Sequence, residues 1–103
     1  MNGYVLHPEA FHDLDEIREY TANDHPDDAD RLIGDTFDAI RALVQFPNQG
    51  YRRPDLTSRP LRFRVVREYV IVYAPDKKPL WVVAVFHGLR SPRVIAAILR
   101  GRE

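Results

Sequence analysis

The sequence has no cysteine in 103 residues, so disulfide bonds and thiolate metal sites are excluded. No apolar run approaches the roughly 20 residues of a membrane-spanning helix, and no signal-peptide pattern opens the sequence. The GxGxxG, P-loop and HExxH motifs are also missing, so nothing points to a bound dinucleotide, nucleoside triphosphate or catalytic zinc. These absences suit a reducing cytoplasm, where we expect a protein without a cofactor.

Histidines are few, and no two of them have the spacing of metal ligands. His7, His12 and His25 fall on three different predicted elements. The acidic cluster from Asp24 to Asp30 lacks the glycine and glutamate of a calcium-binding loop. We therefore expect no metal site and interpret these acids as charges near the start of a helix.

Lysine is nearly absent, since Lys77 and Lys78 are the only two. Residues 1–50 hold 11 acidic residues against 3 arginines, whereas residues 51–103 hold 12 basic residues against 4 acidic ones. An acidic half is thus joined to an arginine-rich half. Arginine binds phosphate and carboxylate through a planar fork, which favours a recognition surface, although a G+C-rich genome would give the same bias.

The apolar pattern changes from strand to helix and back along the chain. Short β-branched or aromatic runs predict strands, and helical spacing predicts helices. The strands are at 4–7, 61–66, 69–73 and 80–88, and the helices are at 9–23, 26–45 and 92–100. We expect one α+β domain over residues 1–103, in which an α-helical hairpin packs on a small antiparallel sheet. The last three strands would form a meander, the first strand would join its edge, and a short C-terminal helix would follow.

Residues at the predicted helix ends have the chemistry of helix caps. Pro26 suits the first position of the second helix. Ser91 and Pro92 suit the start of the third helix, which Gly101 would end. Gly34 lies inside the second helix, where glycine costs about 1 kcal/mol relative to alanine. We interpret Gly34 as a point of close approach between the two hairpin helices.

The first strand of the meander alternates apolar and basic side chains. Leu61, Phe63 and Val65 would enter a core. Arg62 and Arg64 would project from the opposite face, about 7 Å apart. The two later strands are apolar at nearly every position, so both of their faces should be covered. A basic surface beside buried strands is the candidate working surface.

His87 and Arg90 follow the last strand and could join this surface. One hypothesis makes His87 an acid or base while arginines hold a phosphodiester. The alternative is that His87 hydrogen-bonds its own turn and the arginines are solvated or bind acidic residues of a partner. Spacing favours the alternative, because no residue here is an obvious nucleophile. Tyr69, Tyr73 and Trp81 could stack on bases, but they fit core positions of apolar strands better.

The order of the elements and several short stretches together resemble the RelE/ParE toxin superfamily of type II toxin–antitoxin systems. The stretches are Tyr4–Ala10, Phe46–Gly50, Leu61-Arg62, Tyr69–Tyr73 and Val85–Arg90. Their order and spacing extend over essentially the whole chain. The resemblance implies a small toxin domain with a cognate antitoxin as its partner.

The superfamily contains two activities. RelE-like members cut mRNA in the ribosomal A site; Arg62 and Arg64 match their paired basic positions on the sheet, and Arg90 matches their arginine after the last strand. The match is incomplete, because Val70 replaces an arginine and the last helix lacks a tyrosine. Cleavage would then depend on His87 alone. ParE-like members are associated with inhibition of DNA gyrase, and the acidic hairpin and the ending from His87 to Arg90 resemble that branch better.

The resemblance therefore implies a ParE-like toxin that inhibits DNA gyrase without acting as an enzyme. One alternative is a ribosome-dependent mRNA endonuclease that uses His87, Arg62, Arg64 and Arg90, and another is a non-toxic remnant that only binds its antitoxin. An acidic antitoxin segment would contact the basic half of the chain. The expected partner-binding residues are Arg52, Arg53, Arg62, Arg64, Arg67, Arg90 and Arg93. We expect no membrane partner and no specific DNA binding by the toxin alone.

Overall fold

The computed structural model describes residues 3–102, and its elements follow the predicted order. They are β1 Tyr4–Leu6, α1 Pro8–Asp24, α2 Pro26–Gln45, β2 Arg62–Val66, β3 Tyr69–Ala74, β4 Leu80–His87 and α3 Pro92–Arg100. The predicted α+β fold is confirmed. The predicted domain also includes residues 1, 2 and 103, which lie outside the described residues.

The four strands form one sheet in the order β1-β4-β3-β2. β2, β3 and β4 are the predicted antiparallel meander. β1 joins the sheet as predicted, but it runs parallel to β4, with Tyr4 opposite Leu80 and Leu6 opposite Val82. The sheet is therefore mixed. No short turn joins β1 to β4, so the local sequence does not impose an antiparallel pairing.

The helical hairpin and α3 cover opposite faces of the sheet. On the hairpin side, Leu14, Ile40 and Leu43 belong to one buried cluster with Ile71 and Tyr73. The second cluster, on the α3 side, is apolar too and includes Phe63, Val70, Val72, Val83, Phe86, Ile95 and Leu99. Alternate residues of β3 enter different cores, and all of its residues are buried. The prediction that both faces of this strand are covered is confirmed.

Side chains cap the starts of α1 and α3, and of these two caps only the one at Ser91 was predicted. Pro8 begins α1, where His7 Nδ1 accepts a hydrogen bond from the Glu9 N–H at 3.0 Å. Ser91 Oγ accepts the Val94 N–H at 3.2 Å and starts α3. Within residues 3–102, no helix combines the length and the apolar character that crossing a bilayer requires.

Two glycines differ in what surrounds them. A Cβ built on Gly34 meets nothing within 4 Å, so the prediction of close helix approach at Gly34 is wrong. Gly34 lies on an exposed part of α2. A Cβ on Gly50 would lie 2.6 Å from the Tyr73 hydroxyl oxygen and 2.7 Å from the Phe63 carbonyl oxygen. Glycine is therefore required sterically in the loop after α2 and not in the hairpin.

Candidate partner-binding site

β2 presents its arginines as the alternation predicted. Arg62 lies opposite Tyr73 and Arg64 lies opposite Ile71, so both share the sheet face on which the hairpin packs. Val65, predicted to enter a core, is instead 47% exposed. β2 is the outermost strand of the sheet in the described part of the chain, where no strand lies on the outer side of Val65. The basic face of β2 therefore lies at the edge of the hairpin core.

Arg62 fastens the loop that follows α2. Its guanidinium donates to the Gly50 carbonyl at 2.7 Å and to the Asn48 carbonyl at 3.4 Å. The Tyr73 hydroxyl donates to the Pro47 carbonyl at 2.7 Å and accepts the Gly50 N–H at 2.9 Å. Burial raises the pKa of Tyr73, while the Gly50 N–H and the charge of Arg62 oppose the rise. Arg62 is therefore part of a structural network before any partner binds.

The neighbouring arginines differ in how far they are already bonded. Arg53 makes a two-point contact with Asp55 at 2.9 and 2.7 Å, which raises the pKa of Arg53 and lowers the pKa of Asp55. Arg64 donates to the Val65 carbonyl beside it. Arg52 is exposed and has no ion pair with any carboxylate of residues 3–102. Arg52 is thus more accessible to an acidic partner than Arg53.

A cleft of about 630 Å³ lies between the turn of the helical hairpin and the end of β4. We call it the hairpin cleft. Its walls carry charged groups from both halves of the chain, including Glu16, Asp24 and Asp28 from the hairpin and Arg67, His87 and Arg90 from the sheet side. The structure therefore brings three of the predicted site residues together, but it surrounds them with carboxylates that the sequence did not place there.

His87 is held by the turn that follows β4. Its Nδ1 accepts the Leu89 N–H at 3.0 Å, and its ring meets Tyr69 edge to face with 5.4 Å between ring centres. Nearby, Arg67 adopts a φ of 55° and donates to Asp35 at 2.6 Å. The bond between His87 and the Leu89 N–H matches the hypothesis in which His87 hydrogen-bonds its own turn.

The predicted arginines are distributed over different parts of the surface. Arg62 and Arg64 lie on β2, Arg52 and Arg53 lie in the preceding loop, Arg67 and Arg90 line the hairpin cleft, and Arg93 is exposed on α3. Arg62 pairs with Tyr73 and His87 pairs with Tyr69, four residues apart along β3 and on opposite sides of it. Their backbones are therefore about 17 Å apart. His87 and Arg62 do not converge on one phosphate.

The aromatic residues considered for base stacking are mostly in the core. Tyr73 is 0% exposed and Tyr69 is 7% exposed, which fits the core positions predicted for them. Trp81 is 37% exposed, and its ring meets His7 edge to face. Trp81 is therefore partly available at the surface, on the face of the sheet opposite the hairpin.

An ion pair that the sequence did not predict closes the outer side of β4. Asp13 accepts the Val85 N–H at 3.0 Å and a hydrogen bond from Arg102 at 2.9 Å, while Arg102 also donates to the Val83 carbonyl at 3.2 Å. The two side chains are only 17% and 11% exposed. The bond to Asp13 raises the pKa of Arg102. The sequence hints at this ion pair only in that Asp13 adjoins Leu14, which is buried in α1. The partner could not be identified from the sequence, because Asp13 and Arg102 are 89 residues apart.

Comparison with known proteins places this fold in a family. A model of the ParE toxin of type II toxin–antitoxin systems, parDE, matches residues 4–92. The chain is also 32% identical over 97 residues to Toxin ParE2 of Mycobacterium tuberculosis, from strains CDC 1551 / Oshkosh and ATCC 25618 / H37Rv. Each match covers 87% of this chain and 85% of the relative. The chain belongs to the ParE toxin family of type II toxin–antitoxin systems, within the RelE/ParE superfamily that its sequence resembles.

Proposed function

We propose that this chain is a toxin that arrests growth by inhibiting DNA gyrase in the cytoplasm, and that a cognate antitoxin neutralises it. The observation that carries the proposal is membership of the ParE toxin family over residues 4–92. Inhibition of gyrase is the activity associated with that branch of the superfamily. The toxin would act by occupying a surface of gyrase and would need no chemistry of its own.

The positions of the candidate ribonuclease residues support inhibition by contact over RNA cleavage. His87 Nδ1 already accepts the Leu89 N–H. Arg62 is bonded to two loop carbonyls, about 17 Å from His87 along the sheet. A general acid and a phosphate-holding arginine must reach the same phosphodiester, so this separation disfavours their joint action. We therefore propose no enzymatic role for either side chain.

The charge of the basic half supports an acidic antitoxin segment as the neutralising partner. Arg52, Arg64, Arg90 and Arg93 have no ion pair with a carboxylate of residues 3–102. Their guanidinium groups keep forks that can each bind a carboxylate in two places. Opposite charge would speed the encounter and fix its orientation. We propose these four arginines as stronger antitoxin contacts than Arg53, which Asp55 already occupies.

The direct test is a supercoiling assay with purified gyrase, relaxed plasmid and the purified toxin. We expect supercoiling to fall as toxin is added and to recover when the antitoxin is added. The same preparation should leave mRNA intact in a translating ribosome extract. The variant His87→Ala should keep its inhibitory activity, because His87 has no catalytic role in this proposal. If the parent toxin inhibits gyrase and His87→Ala does not, the statement that His87 has no catalytic role is wrong.

Pulse labelling in cells separates the remaining alternatives. Within minutes of inducing the toxin without its antitoxin, we expect DNA synthesis to fall before protein synthesis. Protein synthesis falling first would identify the ribosome as the target and overturn the gyrase proposal. No effect on either, with antitoxin binding retained, would identify a remnant that no longer acts as a toxin.

A further inference from the structure

The floor of the hairpin cleft is a stretch of β4 that no strand of the described residues 3–102 covers. β1 pairs with β4 only from Leu80 to Val82, and the chain then turns away into α1. Val85, Phe86 and His87 of β4 line the cleft. An uncovered strand edge offers backbone donors and acceptors to an incoming chain.

Two backbone groups of this edge, the Val85 C=O and the His87 N–H, point away from β3. The Val85 N–H points away from β3, because it donates to Asp13. The Gly88 N–H points the other way, towards the Glu68 carbonyl on the β3 side. Since these directions alternate along a strand, the Val85 C=O and the His87 N–H also point away from β3. Within residues 3–102, no loop backbone group or side chain makes a hydrogen bond to either of them.

The walls of the cleft carry more negative than positive charge. Glu16, Asp24, Asp28 and Glu68 contribute carboxylates, and none of the four except Asp28 takes part in an ion pair within residues 3–102. The remaining carboxylate in the lining is that of Asp13, which is paired with Arg102. Of the two arginines in the lining, Arg67 is neutralised by Asp35 and Arg90 has no carboxylate partner among the described residues. The ring of Tyr20, which is 73% exposed, stands at the rim and can face a cation.

We propose that the hairpin cleft binds an extended, cationic segment of a protein partner by adding it to the edge of β4. The Val85 C=O would accept an N–H from the segment, and the His87 N–H would donate to one of its carbonyls. A lysine or arginine of the segment would lie between the carboxylates of α1 and α2 and the ring of Tyr20. This surface takes the opposite charge to the one we propose for Arg52, Arg64 and Arg93, and Arg90 is shared by the two surfaces. The inference goes beyond gyrase inhibition and holds whichever target the toxin has.

Amide exchange and NMR titration test the proposal on the intact chain. In the unbound protein we expect the His87 amide to exchange faster than the Phe86 amide by about tenfold or more, because Phe86 is paired with Val70. The probe is the blocked peptide Val-Arg-Val-Arg-Val, and its acidic counterpart Val-Glu-Val-Glu-Val is the control. We expect the basic peptide to slow exchange at His87 and shift its resonance, and the acidic peptide to do neither.

Charge reversal locates the cationic contact. Glu16→Lys and Asp28→Lys should each weaken binding of the basic peptide by about tenfold. Glu19→Lys is the matched control, since Glu19 is exposed on α1 and lies outside the cleft. Thermal unfolding would verify that all three variants remain folded. Equal weakening by Glu19→Lys would overturn the assignment of the contact to the cleft.

Two further outcomes would overturn the proposal, one through the strand pairing and the other through the charge preference. Spermidine carries positive charge without a peptide backbone, so it should not slow exchange at His87. If spermidine displaces the basic peptide completely and the His87 amide never becomes protected, the cleft binds cations without adding a strand. Binding of the acidic peptide as tight as that of the basic one would overturn the charge preference.

Discussion

Within residues 3–102, β2 and β4 both have an outer stretch of backbone that no neighbouring strand pairs, and the chain covers part of each stretch by different means. At β2, the cover is a backbone bridge between Tyr51 and Phe63. The Tyr51 N–H donates to the Phe63 carbonyl at 2.9 Å, and the Phe63 N–H donates to the Tyr51 carbonyl at 2.7 Å. At β4, side chains provide the cover, because Asp13 accepts the Val85 N–H and Arg102 donates to a carbonyl of β4. The first cover depends on the shape of a nearby loop. The second depends on two charges brought together from distant parts of the sequence.

The largest expected effect is on the side-chain cover of β4. We expect Asp13→Ala to lower the free energy of unfolding by about 3 kcal/mol, because it leaves the Arg102 guanidinium without its carboxylate and the Val85 N–H without an acceptor in a mostly buried place. Urea unfolding followed by circular dichroism measures this. Asp13→Asn keeps an acceptor oxygen and should cost less. Asp15→Ala, at an exposed position of the same helix, is the control, and an equal loss there would refute the role of Asp13.

The backbone cover of β2 is tested next, through the loop that supports it. Gly50→Ala should lower the free energy of unfolding by about 2 kcal/mol, because its Cβ would lie 2.6 Å from the Tyr73 hydroxyl and 2.7 Å from the Phe63 carbonyl. Gly34→Ala is the matched control and should raise the free energy of unfolding by about 0.5 to 1 kcal/mol. Chemical denaturation of both variants beside the parent chain gives the comparison. A loss at Gly34 as large as at Gly50 would contradict the steric explanation.

A smaller effect should follow from removing the Tyr73 hydroxyl. Tyr73→Phe deprives the Pro47 carbonyl and the Gly50 N–H of their partner, so we expect a loss of about 1 kcal/mol. The loop should become more mobile while the sheet stays intact. Amide exchange at Gly50 should therefore accelerate, with Ile71 as the internal control. Unchanged exchange at Gly50 would mean that Arg62 alone holds the loop.

The smallest effect is a dependence of the free energy of unfolding on alkaline pH, which we expect from Tyr73 on the β2 side. Burial raises the pKa of Tyr73 in the folded chain, so above about pH 10 the unfolded state releases this proton before the folded state does. The free energy of unfolding should therefore fall as the pH rises through this range and be fully retained below it. Unfolding at pH 8 and above pH 10, compared with Tyr73→Phe, isolates the contribution. The same slope in both proteins would assign it to other tyrosines.

The secondary structure was predictable because its signals are local. Pro26, Ser91 and Gly101 mark helix ends through the chemistry of their own side chains and backbone, and each is found where the pattern placed it. The continuous apolar run of β3 indicated burial on both faces for a similar reason. The parallel direction of β1 depends on how distant elements pack, and no local residue determines it.

The candidate site was predictable only in part, because charge along the sequence does not say which charges meet. The alternation of β2 correctly placed Arg62 and Arg64 on one face. It did not indicate that Arg62 would donate hydrogen bonds to carbonyls of the loop after α2, or that His87 would line a cleft with carboxylates of the hairpin. Those juxtapositions arise when the hairpin folds back over the sheet. Asp13 shows the same limit, since its partner Arg102 lies far away in the sequence.

The tie between Asp13 and Arg102 also bears on how the toxin is made. The two residues are 89 positions apart, so at about 5 to 20 residues per second a ribosome adds Arg102 about 4 to 18 s after Asp13. Until then a nascent chain can form its helices and start its sheet, but the outer side of β4 lacks half of its cover. The outer side of β4 is therefore fully covered only in chains that have been synthesised as far as Arg102, and we expect proteases to cut shorter chains faster.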